Sequence, residues 1–242
     1  AMRINLFTSL ERNFSIDRYA NELSNSFPAH VTTRVVQPSM SKGLRGKVYD
    51  RYIRYLATAK RESGDYNIVT TEGYGFLLAT LPSERTIVVC HDVHPLLTKQ
   101  WTGTYRLRYK LSLRMMGAAR GIVAVSQSTR NDLLSHCSHI PESKVAVIHN
   151  GLADTWSRVV DGPKIAEFRR DRRLEESPLI LHVGNDNWYK NFEGVLRAFS
   201  LLNNPTAVLV KVGEMRDASW DLAKQLGIGD RIIHFQNQRD ED

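Results

Sequence analysis

Two short segments carry residue types from which a charged reaction centre could be built. In His182-Val183-Gly184-Asn185-Asp186-Asn187-Trp188-Tyr189-Lys190-Asn191, a strand pattern stops at Gly184, a polar loop follows, and a helical pattern begins near Asn191. A helix start offers unpaired amide N–H groups and the positive end of the helix dipole, so an anion is favoured there. Lys190 adds a full positive charge beside it. The second segment is His91-Asp92, at the end of the buried-type run Thr86-Ile87-Val88-Val89-Cys90. Ligands of open parallel sheets gather beyond the carboxyl ends of the strands. Asp92 either orients His91 or caps the following turn, and His94 is a neighbouring alternative.

Other candidates are less directive. The loop Thr8-Ser9-Leu10-Glu11-Arg12 follows the first strand, and Ser9 and Arg12 either reach a substrate or lie on the surface. Without a glycine it offers no close backbone cradle. Gly73 and Gly75, in Glu72-Gly73-Tyr74-Gly75, shape a turn on the same side or approach a ligand. Lys47, Arg51 and Arg54 form one basic helical stripe, and Arg106, Lys110 and Arg114 another. Each suits either an anionic membrane leaflet or plain solvent. His136, Cys137 and His139 lack zinc-site spacing, so no metal is expected.

The elements that must position these residues follow from hydrophobic periodicity. Strands are predicted at Ile4–Phe7, Val31–Val36, Ile68–Thr70, Thr86–Cys90, Gly121–Val125 and Val145–Ile148. Between them lie helical patterns. Ser15–Phe27, with Ser15 as N-cap, buries Ile16, Tyr19, Ala20 and Leu23. Lys47–Arg61 buries Tyr49, Tyr52, Ile53 and Leu56. Tyr105–Ala119 places Leu107, Leu111, Met115 and Ala118 at its period, and Ser126 caps Thr129–Leu134. Strands alternating with helices of this length argue for a doubly wound parallel sheet covered on both faces.

The pattern then restarts. After the Asn150-Gly151 turn comes a charged helix, Lys164–Arg173, and Ser177-Pro178 breaks the chain again. Strands at Leu179–Val183, Ala207–Val212 and Ile232–Phe235 alternate with helices at Asn191–Leu202 and Asp217–Leu226. The expected organisation is a first domain over 1–155, a linker and charged helix over 156–177, and a second α/β domain over 178–242. Three strands leave a doubly wound domain with an open edge. Another helix is expected to begin at Arg239-Asp240-Glu241-Asp242, so the second domain is read as incomplete.

The 242 residues carry a net charge of +7, which fits an anionic partner. No stretch approaches the roughly 20 apolar residues that span a bilayer, and the apolar run after Arg3 is too short for a secretory signal. Cys90 and Cys137 lack metal or redox spacing, so a reduced cytoplasmic setting is expected.

The order of motifs resembles the family-four retaining glycosyltransferases of the GT-B fold, which pair two Rossmann-like domains. Val183-Gly184-Asn185 with Lys190-Asn191 is similar to the family's "valine, glycine, Arg … Lys-Asn" segment, and Val195-Leu196-Arg197-Ala198-Phe199 to the helix after it. Ile122-Val123-Ala124-Val125-Ser126 resembles the last strand and helix start of the first domain. Val145-Ala146-Val147-Ile148-His149-Asn150-Gly151 resembles the crossing between domains. Leu209-Val210-Lys211-Val212-Gly213-Glu214 and Arg231–Phe235 are similar to the next two strands.

The resemblance implies transfer of a sugar from a UDP- or GDP-linked donor to an acceptor hydroxyl, with retention. It places the donor diphosphate on Gly184, Asn185 and Lys190, and His91 against the sugar with Asp92 beside it. Ser9, Arg12 and Gly73 fall on the acceptor side. Asn185 stands where the family has an arginine, so half of the cationic clamp is replaced by a neutral amide. The family's later glutamate pair, which holds ribose and sugar, has no counterpart up to Asp242, and little activity is expected of these residues alone. The acceptor implied is a glycan or lipid-linked glycan, with peripheral contact at the inner face of the membrane and no cofactor. A different class, a non-catalytic or split subunit completed by a partner chain, is the alternative. An NAD-dependent enzyme lacks its G-x-G-x-x-G motif here, and nucleic-acid binding lacks any motif beyond charge.

Overall fold

The computed structural model describes residues 1–11, 14–98, 101, 103–152 and 162–236. The chain divides into two units, Ala1–Gly151 and Leu152–Asp242. In the first, strands β1 (Met2–Phe7), β2 (Val31–Val36), β3 (Tyr66–Val69), β4 (Thr86–Cys90), β5 (Gly121–Ala124) and β6 (Val145–Val147) form one sheet. Their order is β2-β1-β3-β4-β5-β6, and every pair is parallel. Alternate residues serve opposite faces. Phe7, Val69 and Val88 enter the larger core, while Leu6, Ile68 and Val89 meet Tyr19 and Leu23 of helix α1 (Phe14–Ser26). Burial on both faces is why β4 and β5 read as continuous apolar runs, whereas Thr32 and Arg34 of the edge strand β2 are exposed.

The chain leaves β1 for β2 on one side and returns to β3 on the other. The sheet's switch point therefore lies between β1 and β3, where a crevice opens at the carboxyl ends. The loops after β1, β3 and β4 carry Ser9, Glu72 and His91.

Three expectations for the helices are corrected. Ser15 is not an N-cap, because α1 already starts at Phe14. The segment expected as one helix over 47–61 is α2 (Leu44–Tyr49), a π turn (Asp50–Arg54) and α3 (Tyr55–Arg61). The wider π turn breaks the 3.6-residue period. Tyr49 and Ile53 consequently face outward, while Asp50, Tyr55 and Ala59 are buried. The Tyr55 hydroxyl lies 2.6 Å from the Thr8 carbonyl and 3.1 Å from that of Val36, tying the helix to the ends of β1 and β2.

Helix α5 (Gly103–Met116) buries Tyr109, Ser112, Leu113 and Met116, leaving Leu107 and Leu111 exposed; Ala118, just beyond the helix, is exposed too. The cause is its partner, a 3-10 helix over Glu72–Ala79. A Cβ on Gly75 would lie 2.4 Å from the Ser112 carbonyl oxygen, so the two backbones touch and the contact stripe needs a small residue. The described residues of this unit also form α4 (His94–Leu97) and α6 (Gln127–His136). Ser126 caps α6 as expected, its hydroxyl accepting the Thr129 N–H at 3.0 Å.

In the second unit the first helix among the described residues is α7 (Gly162–Asp171), which buries no residue. Its strands β7 (Leu179–Val183), β8 (Val208–Val212) and β9 (Ile232–Phe235) form a parallel sheet in that order. Helices α8 (Phe192–Ser200) and α9 (Asp217–Gln225) build its core around Phe192, Leu196, Phe199 and Leu209. On the opposite face of β7, Leu181 and Val183 remain 64% and 62% exposed. The helix expected from 239 onward, with the rest of 237–242, lies outside the described residues.

Candidate functional site

At the carboxyl edge of the first sheet, His91 is held from several directions. Its N–H donates to a Glu72 carboxylate oxygen at 3.0 Å, and its carbonyl accepts the Thr129 hydroxyl at 3.1 Å. The ring Nε2 lies 2.9 Å from the Thr70 carbonyl, and Tyr19 meets the ring edge-on at 5.1 Å between centroids. A carbonyl oxygen can only accept, so Nε2 carries the proton. Burial holds the imidazole below its ordinary range, against the opposing pulls of the Thr70 carbonyl and Asp92. At pH 7 the ring is neutral, and Nδ1 presents a lone pair with no hydrogen-bond partner among the described residues. Such a group can accept a hydrogen bond from a ligand hydroxyl.

The carboxylate that touches His91 is Glu72, not Asp92. Asp92 Oδ1 instead accepts the His94 N–H at 2.9 Å, capping the turn into α4. Glu72 is 8% exposed. Its backbone carbonyl accepts the Ser112 hydroxyl at 2.9 Å, and the Tyr109 hydroxyl reaches both its carboxyl and, at 2.9 Å, the Asp92 carbonyl. Burial first, then the nearby Asp92 charge, pushes the Glu72 carboxyl up to about 7. Strongly shifted carboxyls concentrate at functional sites. A glutamate in a glycine-containing turn looks solvent-exposed in sequence; only its place immediately after a buried strand hinted otherwise.

The other first-unit candidates are more modest. Ser9 is buried and donates to the Glu11 carbonyl at 2.7 Å, while its own carbonyl accepts the Gln37 side chain. Gly73 has open space where a Cβ would sit, whereas Gly75 is the packing glycine. Arg12 lies outside the described residues.

In the second unit, Gly184 adopts φ +140° and Gly213 φ +101°. A Cβ on Gly213 would lie 2.3 Å from the Gly184 carbonyl oxygen, so the loops after β7 and β8 press together. Buried Lys211 donates to that same carbonyl, and buried Asp186 accepts the Arg216 N–H at 2.9 Å. These two charged residues stiffen the loop from below and were not singled out by sequence.

Asn185 bonds within its own loop, its Oδ1 accepting the Asn187 N–H at 3.3 Å. Trp188–Lys190 form a 3-10 turn, and Asn191 (φ 49°) leads into α8 without a side-chain cap. The first amides of α8 are therefore available to an anion, with Lys190 exposed beside them. Gly184, Asn185 and Lys190 thus share one loop at the carboxyl edge of the second sheet, as the sequence suggested. His91 and Asp92 likewise share one strand end with Ser9 and Gly73 on neighbouring loops.

Parallel sheets with charged and glycine-shaped loops at their carboxyl edges define an α/β protein of the GT-B type. Residues 5–155 match the Glycosyltransferase Family 4 model and residues 164–242 the Glycosyl transferases group 1 model; the chain belongs to Glycosyltransferase Family 4. It is similar to the uncharacterized glycosyltransferase MJ1607 of Methanocaldococcus jannaschii, with 30% identity over 118 residues, 46% of this chain and 30% of that protein. It is also similar to the serotype-specific mannosyltransferase WbdA of Escherichia coli, with 26% identity over 145 residues, 57% of this chain and 18% of that protein. The chain thus spans under a third of either relative. Among solved structures, Anabaena Alr3699/HepE in complex with UDP-glucose aligns with a TM-score of 0.75 at 12% identity, over 99% of this chain and 70% of that one. WaaG, a glycosyltransferase involved in lipopolysaccharide biosynthesis, aligns with a TM-score of 0.67 at 16% identity, over 98% and 70%.

Proposed function

We propose that the chain belongs to a retaining glycosyltransferase that moves a sugar from a UDP- or GDP-linked donor to an acceptor hydroxyl in glycan or polysaccharide biosynthesis. The observation that carries this reading is His91, neutral and clamped at the carboxyl end of β4 with Nδ1 open to a sugar hydroxyl. In the second unit, the amides at the start of α8 and the Lys190 ammonium would receive the donor diphosphate. Breaking the bond from the sugar to the nucleotide leaves negative charge on that diphosphate, and fixed positive groups lower the barrier. Asn185 contributes an amide rather than a charge. The chemistry assigns no step to a metal or cofactor.

The acceptor side favours a lipid-linked glycan at an anionic membrane, on its inner face. The basic stripes expected from sequence are partly consumed: Arg51 pairs with Glu11, Arg54 with Asp50, and Arg106 bonds the Leu96 carbonyl. What α2 and α5 do expose is apolar and basic together. Leu44 and Leu107 are 80% and 71% exposed, with Val48, Tyr49, Ile53 and Leu111 also outward. Around them Lys42, Arg45, Lys47, Arg108, Lys110 and Arg114 are exposed. No helix among the described residues is long and apolar enough to cross a membrane, so the contact proposed is peripheral. The alternative, a subunit completed by a partner chain, is favoured by the exposed Leu181 and Val183 face of β7.

Nuclear magnetic resonance with millimolar UDP and GDP tests the donor assignment. The expected result is that one nucleotide shifts the amides of Gly184–Asn191, and that Lys190→Ala weakens this roughly tenfold or more. Shifts confined to other loops, or none with either nucleotide, would refute it.

A further inference from the structure

We propose that Glu72 is a positioning residue of the candidate site, holding the His91 backbone so that the imidazole keeps Nδ1 open to a sugar hydroxyl; the proposal rests on the functional reading above. The two peptide groups flanking His91 are fixed separately. Glu72 takes the N–H on one side at 3.0 Å, and Thr129 donates to the carbonyl on the other at 3.1 Å. Together they set both backbone torsions of His91 and hence the direction of its Cα–Cβ bond. The Nε2 contact with Thr70 then sets the ring. Thr70 and Thr129 are buried too, but Glu72 brings an ionisable carboxyl, whose burial costs more than a hydroxyl's.

Nothing in the packing alone calls for a carboxyl there. The groups facing it are Thr71 from its own segment, Cys90, His91 and Asp92 from the end of β4, and Tyr105 and Tyr109 from α5. None is a cation at pH 7, and Asp92 repels it. A leucine or glutamine would fill the same space without that repulsion. The carboxyl's contribution is the strength and direction of the bond it accepts from the His91 N–H. Ser112 and Tyr109 hold Glu72 in turn, so the site's geometry is passed from α5 through Glu72 to His91.

Nitrogen-15 and amide-proton spectra of the labelled intact chain test this between pH 5 and 9. In the unsubstituted chain the His91 amide proton should titrate with the Glu72 carboxyl, and the ring nitrogens should show the Nε2–H tautomer. Glu72→Gln should abolish that amide titration while keeping the tautomer pattern. Glu72→Ala should lose the pattern, with the two ring-nitrogen shifts converging as the ring is freed. Persistence in Glu72→Gln of an amide titration centred at about 7, above the range of the His91 ring itself, or an unchanged ring pattern in Glu72→Ala, would overturn the proposal. UDP-glucose and GDP-mannose at millimolar concentration then probe the reading beneath it. One of them should move the Nδ1 resonance in the unsubstituted chain and in Glu72→Gln, but not in Glu72→Ala. If neither donor moves it while the other results hold, the sugar-binding reading fails and the positioning of His91 by Glu72 stands.

Discussion

Replacing Glu72 by glutamine should change how the protein's stability depends on pH, and the size of the change follows from the site. The carboxyl titrates at about 7 in the fold against an ordinary 4.5, because burial and the Asp92 charge disfavour its ionised form. Between those values the folded protein keeps a proton that the unfolded chain has released. Stability therefore falls as pH rises from 4.5 to about 7, and no further loss from this group occurs above that. The span of about 2.5 on the pH scale, at about 1.36 kcal/mol for each unit, corresponds to about 3 kcal/mol. Glutamine cannot ionise and should not show this loss. In urea unfolding followed by circular dichroism, Glu72→Gln should gain about 2.5 kcal/mol relative to the unsubstituted protein between pH 5 and pH 8, the rest of the loss already having occurred below pH 5. A difference that stays constant across that range, or one that turns against the variant as pH rises, would refute the argument. A group kept at such a cost fits a site where stability is exchanged for function.

Further substitutions test the scaffold around it. Gly75→Ala should cost about 1–3 kcal/mol in thermal or urea unfolding, because its Cβ would meet the Ser112 carbonyl oxygen and Met116. Gly73→Ala, with open space at the same atom, should fall within about 0.5 kcal/mol of the parent. Tyr55→Phe removes the hydroxyl that bonds the Thr8 and Val36 carbonyls, and should cost about 1–3 kcal/mol by urea unfolding. Ser126→Ala deletes the cap of α6 and should cost about 1 kcal/mol, read as faster hydrogen exchange at the first turn of that helix.

The strands were legible in the sequence because a parallel sheet demands short β-branched and apolar runs, uninterrupted where both faces are buried, as in Thr86–Cys90. Val31–Val36, Thr86–Cys90, Leu179–Val183 and Ile232–Phe235 begin and end where their composition does. The loops carrying His91 and Lys190 were legible for the same reason, since they begin where those runs stop. Helix faces were not. In 44–61 the inserted π turn rotates Asp50 and Tyr55 inward and Ile53 outward, and no hydrophobicity count contains that insertion. In α5 the buried stripe includes Ser112, because close approach to Gly75 outweighs apolar volume at that contact. Glu72 shows the limit most clearly. Its residue type and neighbouring glycines suggest solvent, and only the packing of α5 over the ends of β3 and β4 removes water from it. Sequence determines which segments can be buried. Which polar groups are sealed among them, and so which carboxyl is shifted and which imidazole nitrogen is left open, depends on contacts between segments far apart in the chain, and only the tertiary structure decides that.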